Sequence, residues 1–183
     1  MRFTFLSRNR HAYTMFLALV VLLSGSAYAT NVREVGLAEA VMESELVFEG
    51  VAISTHSNIS PDTGQPFTYF TFQILEVIKG TYSQPTITLG YLGGTKNGYV
   101  LNVADMILPK IGERGIYFVE SLSRQQVHPL YGWQQWHLLI FLDKNDGMEK
   151  VMPVDPPKAG LTVARLLRQI KMEIRSLALQ QPR

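Results

Sequence analysis

The stretch of sequence that most constrains the fold spans residues 67–80 and reads FTYFTFQILEVIKG. Its apolar and polar residues alternate, as far as Ile74, with the period of two that a half-buried β-strand requires. In an unbroken strand Glu76 would follow on the same buried face, and burial of an unpaired carboxylate is costly. We therefore predict a β-bulge at Leu75–Glu76, which leaves Glu76 in water and returns the buried face to Val77.

Shorter runs with the composition of β-strands recur between clusters of turn residues. They lie at 46–55, 85–91, 99–106, 116–122, 137–143 and 148–152, and 56–66 is predicted as a loop between the first two strands. Gly50 predicts a bend within the first strand, and Asn97–Gly98 is typical of hairpins. A strand of about a dozen residues spans about 40 Å, which a small domain accommodates only by bending it. These features predict a mainly β fold, and we expect an OB-like barrel of about five or six strands.

Two amphipathic helices are predicted, one on each side of the strands. Residues 34–45 place an apolar face opposite four glutamates, which is typical of a short helix. Within residues 160–179, six apolar residues recur at helical spacing: Val163, Leu166, Leu167, Ile170, Ile174 and Leu177. A proline-rich linker precedes the second helix. We therefore expect a β-barrel domain with its leading helix in residues 30–157, and an amphipathic helix in residues 158–183 that packs on the barrel.

The first 29 residues have the three features of a secretory signal peptide. Three arginines precede an unbroken apolar run at 15–23, and the segment ends in the small-x-small pattern Ala27-Tyr28-Ala29. We predict cleavage after Ala29 and export to the periplasm or the extracellular space. The apolar run is about half the ~20 residues that a membrane-spanning helix needs, and no later run is comparable, so we expect no transmembrane segment in the mature chain.

Removal of residues 1–29 changes the charge of the chain. This segment contains three of the 17 Lys and Arg residues and none of the 15 Asp and Glu residues, which leaves 14 basic and 15 acidic residues. Such a balance does not support nucleic-acid binding. The sequence has no cysteine, which excludes disulfides, thiol catalysis and Cys-ligated zinc. The remaining 154 residues suit one domain, and we expect a monomer.

Four motifs resemble a group of secreted bacterial proteins. They are ELVFEGV at 45–51, FQILEVIKG at 72–80, Gly112-Glu113 ahead of IYFV at 116–119, and PLYGWQ at 129–134. That group is in turn similar to the OB-fold barrel of tissue inhibitors of metalloproteinases and netrin modules, and the resemblance, which covers roughly residues 40–151, implies the same barrel. The inhibitors reach the protease zinc with an N-terminal cysteine, where this chain has Thr30, so their inhibitory chemistry is not implied. A second departure is Trp136, where the bacterial group more often has glycine.

The aromatic and amide residues at 131–137 form the first candidate binding surface. They are Tyr131, Trp133, Gln134, Trp136 and His137. Aromatic rings beside amides are typical of sugar or peptide recognition. In the alternative interpretation the rings are structural, with Trp133 plugging the barrel end and Trp136 packing under the C-terminal helix.

The basic side of the C-terminal helix is the second candidate surface, with Arg165, Arg168, Lys171 and Arg175. A basic helix face is typical of contacts with membrane lipids or an acidic partner. Alternatively, it pairs within the protein with the acidic segment 30–60, which contains five glutamates.

Sequence motifs for catalysis and cofactor binding are missing after residue 29. Gly-x-Ser-x-Gly, phosphate-loop and dinucleotide patterns do not occur, and His56, His128 and His137 lack the spacing of a helical zinc site. We predict no catalytic residue, no metal site and no cofactor. The favoured function is a secreted, non-catalytic binding or protein-interaction module whose partner is another secreted or envelope protein. The alternatives are a hydrolase that uses carboxylates and a structural envelope factor.

Overall fold

The structure of the protein is a computed structural model that describes residues 33–154 and 161–180. The predicted signal peptide, most of the proline-rich linker and the domain boundaries predicted beside them lie outside the described residues.

The described chain contains two α-helices, nine strands and one short 3-10 helix. In chain order they are α1 (Leu37–Glu43), β1 (Leu46–Ile59), β2 (Pro66–Lys79), β3 (Thr86–Leu92), β4 (Gly94–Lys96), β5 (Tyr99–Leu101), β6 (Arg114–Val119), the 3-10 helix (Trp133–Trp136), β7 (His137–Leu142), β8 (Glu149–Pro153), β9 (Leu161–Thr162) and α2 (Val163–Gln180). The predicted mainly β fold, with a short helix near the N-terminus and a C-terminal helix, is confirmed. The patterns do not predict β4 and β9, which are three and two residues long.

Seven strands form one antiparallel sheet in the order β3-β2-β1-β6-β7-β8-β9, and β4 and β5 form a separate hairpin. The sheet ladder does not close on itself, so the OB-like barrel stays a prediction. None of the helices in the described ranges is both long enough and apolar enough to cross a membrane.

The predicted bulge in β2 is confirmed. Glu49 and Gly50, which are consecutive in β1, lie opposite Glu76 and Ile74, so Leu75 is the extra residue. Glu76 is exposed, and the residue after it packs against the core. Gly50 lies at this register shift, and a Cβ added to it would lie 2.7 Å from a backbone oxygen of β2. The break in the alternation of apolar and polar residues at Leu75–Glu76 therefore marks a β-bulge in the long β1–β2 pair.

The predicted loop at 56–66 is wrong in its first four residues and in its last, because β1 continues to Ile59 and β2 begins at Pro66. Cross-strand pairs hold this extension: the ring of His56 stacks on Tyr69 with centroids 5.3 Å apart, and Ser57 Oγ lies 3.3 Å from Thr68 Oγ1. The turn between the two strands comprises residues 60–65.

The Asn97–Gly98 turn is confirmed as the connection between β4 and β5, with positive φ angles of 52° and 81°. The strand that follows ends at Leu101 instead of the predicted residue 106. Asp105 has a φ of 58°, which is incompatible with extended backbone, so the chain turns here.

Both faces of the sheet are buried at its centre, in β6 and the first half of β1. On the inner face, a cluster rich in aromatic residues is built around Phe48, Phe72, Tyr91 and Tyr117. On the outer face, aliphatic residues and Phe118 pack against the apolar sides of α1 and α2. Successive side chains of these strands point alternately to the two clusters, which explains why β6 and the first half of β1 are buried on both sides.

The end of β2 is fixed against α1. Lys79 Nζ donates hydrogen bonds to the carbonyl oxygens of Met42, at 3.2 Å, and of Ser44, at the C-terminal end of that helix. Gly80 follows with a φ of 87°. The Lys-Gly pair is thus a strand ending that anchors the first helix.

Candidate functional site at the open edge of the sheet

Strand β3 forms one edge of the sheet, and its free side presents unpaired backbone groups. In an antiparallel strand, the N–H and C=O of every second residue point away from the neighbouring strand. Leu92 N–H donates to Val127 O at 2.9 Å and the Thr86 carbonyl accepts from Tyr82 OH at 3.2 Å, so the even-numbered residues face outward. Thr88 and Gly90 share this orientation, and no described residue supplies a backbone partner for either.

The free edge faces a groove. The segment that follows β6 folds back on that strand, with Tyr131 N–H donating to Phe118 O at 2.9 Å, and meets β3 at the Leu92–Val127 hydrogen bond. Before that junction, β3 and residues 121–126 stay apart and enclose a depression of about 410 Å³. The groove therefore occupies the place where another strand would extend the sheet.

Side chains hold the far wall of this groove in place. Gln125 Nε2 donates to Tyr69 OH at 3.1 Å, and Gln125 Oε1 accepts a hydrogen bond from Ser60 Oγ. An added Cβ on Gly90 would lie 2.9 Å from the Tyr69 ring, so only glycine lets that ring lie across the edge. Arg124 also lines the groove, is exposed and forms no ion pair with a described residue.

The aromatic residues of the predicted 131–137 surface do not form one surface. Trp133 is 37% exposed and stacks on His128. Trp136 is half-buried against Phe118, and its Nε1 donates to Val35 O at 3.2 Å. Tyr131 is also half-buried, and its hydroxyl donates to a carboxylate of α1. Trp133 alone among these rings presents a large exposed area.

Gln134 and His137, the other two residues of that predicted surface, are buried. His137 Nε2 lies 2.6 Å from Glu113 Oε1, and Gln134 Nε2 donates to Asp105 O at 3.0 Å. The Glu113–His137 pair has the arrangement of a base and its orienting carboxylate. However, the His137 side chain has no exposed area, so it cannot reach a substrate in this conformation.

Six buried side-chain polar atoms have no hydrogen-bond partner among the described residues: Tyr91 OH, Tyr117 OH, Gln126 Nε2, His128 Nε2, Gln134 Oε1 and His137 Nδ1. The two tyrosines belong to the cluster on the inner face of the sheet. Burial raises the pKa of Tyr91 well above its usual value, and the neighbouring Tyr117 and Glu113 raise it further. Burial lowers the pKa of His128 to about 3. The tyrosines and His128 are therefore neutral at physiological pH.

The carboxylates of Glu49 and Glu149 share one cation, the guanidinium of Arg114. Arg114 binds Glu49 through Nε at 2.7 Å and Glu149 through Nη1 at 2.5 Å. Because a guanidinium lies between the two carboxylates, they form an ion-pair network across β1, β6 and β8. Within the described ranges, no group of three or more His, Asp or Glu side chains is suited to hold a metal ion.

The predicted basic surface lies on the solvent side of α2. Arg165, Arg168 and Arg175 are exposed, and Lys171 Nζ lies 3.9 Å from Glu76 Oε1. Helices α1 and α2 pack against each other, as the intramolecular alternative expects, but through apolar residues of the outer cluster. Binding of lipid or of an acidic partner to these four residues stays a prediction.

The edge site is the part of the surface that sequence patterns miss. The signal for it is Gly90, because a glycine inside an alternating strand indicates close approach of another group.

Comparison of the chain with protein-family models, curated proteins and solved structures gives no match. The resemblance to metalloproteinase inhibitors and netrin modules therefore stays an expectation.

Proposed function

We propose that this protein is a non-catalytic peptide-binding module that takes an extended segment of another protein as an added strand along β3. The observation that carries the proposal is the pair of outward-facing, unpartnered backbone positions, Thr88 and Gly90, in a preformed groove. Unpaired strand edges are the surfaces to which extended peptides add.

The chemistry of the edge selects the class of ligand. Alternate residues of a strand lie about 6.6 Å apart, and a second extended backbone offers donors and acceptors at the same repeat. Small molecules do not reproduce that repeat. Tyr69 and Arg124 line the groove beside the edge and would contact side chains of the added strand, which supplies specificity.

The proposal matches the setting that the sequence predicts. An exported protein meets other secreted or envelope proteins, and the expected partner is one of these. Among the described residues, His137 of the Glu113–His137 pair is shielded from solvent and Glu49 and Glu149 are bound to Arg114, so neither pair supports the hydrolase alternative.

Substitution Thr88→Pro should weaken peptide binding while leaving the sheet intact. Proline removes an N–H that points away from β2, so the β2–β3 ladder keeps its hydrogen bonds, and proline is tolerated on edge strands. Octapeptides selected from a random phage-displayed library against the purified protein serve as the probe. By calorimetry, we expect Thr88→Pro to weaken their binding by at least about tenfold.

Thr88→Val is the matched control, because it also removes the 3.0 Å contact between Thr88 Oγ1 and Thr71 Oγ1 but keeps the backbone N–H. It should bind the selected peptides within about threefold of the unsubstituted protein. Equal affinities for the Pro and Val variants would contradict the proposal. So would a library that yields no peptide with a Kd below about 1 mM.

A further inference from the structure

A second depression, of about 510 Å³, lies on the other side of residues 124–126. Its wall includes the carboxylate of Glu120, the guanidinium of Arg124, the amide of Gln126 and the ring of Trp133. It shares Arg124, Gln125 and Gln126 with the peptide-binding groove, but Thr88 and Gly90 do not line it.

Trp133 is held in an unusual conformation at this depression. It has a φ of 59°, and Gly132 before it has a φ of 66°, so two consecutive residues are left-handed. A bulky side chain rarely adopts this region, and strain of this kind accumulates at functional sites. One face of the indole stacks on His128, with centroids 5.6 Å apart and an interplanar angle of 13°. The ring is thus a fixed, partly exposed platform.

Two buried donors belong to the same wall. Gln126 Nε2 and His128 Nε2 have no partner among the described residues. His128 Nδ1 accepts the N–H of Leu130 at 3.2 Å, so the proton of this neutral ring is on Nε2. His128 is only 2% exposed. Gln126 is partly exposed, so a turn of its side chain brings the amide to an acceptor group of a ligand, whereas the buried His128 supports the Trp133 ring.

We propose that this depression binds an N-acetylated pyranose sugar whose ring stacks on Trp133. The apolar face of a pyranose matches an indole plane, and its hydroxyls match the carboxylate, guanidinium and amide groups of the wall. The acetamido carbonyl supplies an acceptor for the Gln126 amide, whose Nε2 has no partner among the described residues. A volume of about 510 Å³ is within the range of pockets that bind small molecules.

Chitotriose is the probe, and binding is followed by saturation-transfer NMR of the sugar, which does not depend on tryptophan fluorescence. We expect saturable binding to the purified protein, and a loss of at least about tenfold in Trp133→Ala. Tyr99→Ala, which removes a 71% exposed aromatic ring on the β4–β5 hairpin, is the control and should bind normally. Thr88→Pro should also bind normally, which separates this site from the peptide groove.

A second variant keeps the test informative if Trp133→Ala does not fold. Gln126→Leu has a similar volume but no amide, and should bind chitotriose at least about threefold more weakly. It should also abolish the preference for chitotriose over cellotriose, which has no acetamido groups. The proposal is overturned if chitotriose shows no saturable binding up to about 20 mM, or if folded Trp133→Ala or Gln126→Leu binds as well as Tyr99→Ala.

Discussion

Between pH 7.5 and pH 4.5, the free energy of unfolding is expected to fall by about 2.5 kcal/mol on account of His128 alone. Burial lowers the pKa of this imidazole from its usual 6.5 to about 3. Below pH 6.5 the unfolded chain therefore takes up a proton that the folded protein does not. The stabilising contribution is complete above pH 6.5 and is lost as the pH falls toward 3.

Urea unfolding at several pH values in this window tests the effect. His128→Asn keeps an acceptor for the Leu130 N–H but removes the titrating group, so its stability should change with pH by about 2.5 kcal/mol less. An unchanged pH dependence in His128→Asn would contradict the assignment.

Substitution Gly80→Ala should destabilise the protein by about 3 kcal/mol or more, although residue 80 is exposed. The φ of 87° is unfavourable for any residue with a Cβ, and a Cβ here would clash with the carbonyl oxygen of Glu45. That carbonyl belongs to the backbone just before β1. The clash is therefore relieved only if the start of β1 moves away from the end of β2.

Gly64→Ala is the matched control. Its φ is 67°, but nothing lies within 4 Å of an added Cβ, so only the cost of the backbone conformation applies, about 1 kcal/mol. Guanidinium unfolding curves of the two variants measure the difference directly. If both substitutions cost the same, the contact with Glu45 does not limit this turn.

Local features are predictable where the chemistry of one residue decides the outcome. The carboxylate of Glu76 cannot share a buried face with Ile74, so the bulge at Leu75 follows from the sequence. Likewise Asn97–Gly98 favours a hairpin, since both residues tolerate positive φ.

Features that depend on distant pairing are not predictable in this way. The alternation at 85–91 is that of any half-buried strand, and although Gly90 indicates close approach of another group, it does not show that β3 lies at an edge opposite Val127. In the sequence, His137 follows two glutamines and a tryptophan, and this pattern does not predict burial. It is buried because its ring packs 5.1 Å from that of Tyr117 and its Nε2 contacts Glu113. The candidate site is therefore visible only when β3 and the segment after β6 are placed together.

Amide hydrogen exchange in the presence of a selected octapeptide tests strand addition at β3 most directly. In the free protein, the outward-facing amides of Thr88 and Gly90 should exchange quickly, whereas those of Ile87 and Leu89 are protected by pairing with β2. Bound peptide should slow exchange at Thr88 and Gly90 by at least about tenfold and leave Ile87 and Leu89 unchanged. Peptide that binds without protecting Thr88 and Gly90 would contradict strand addition.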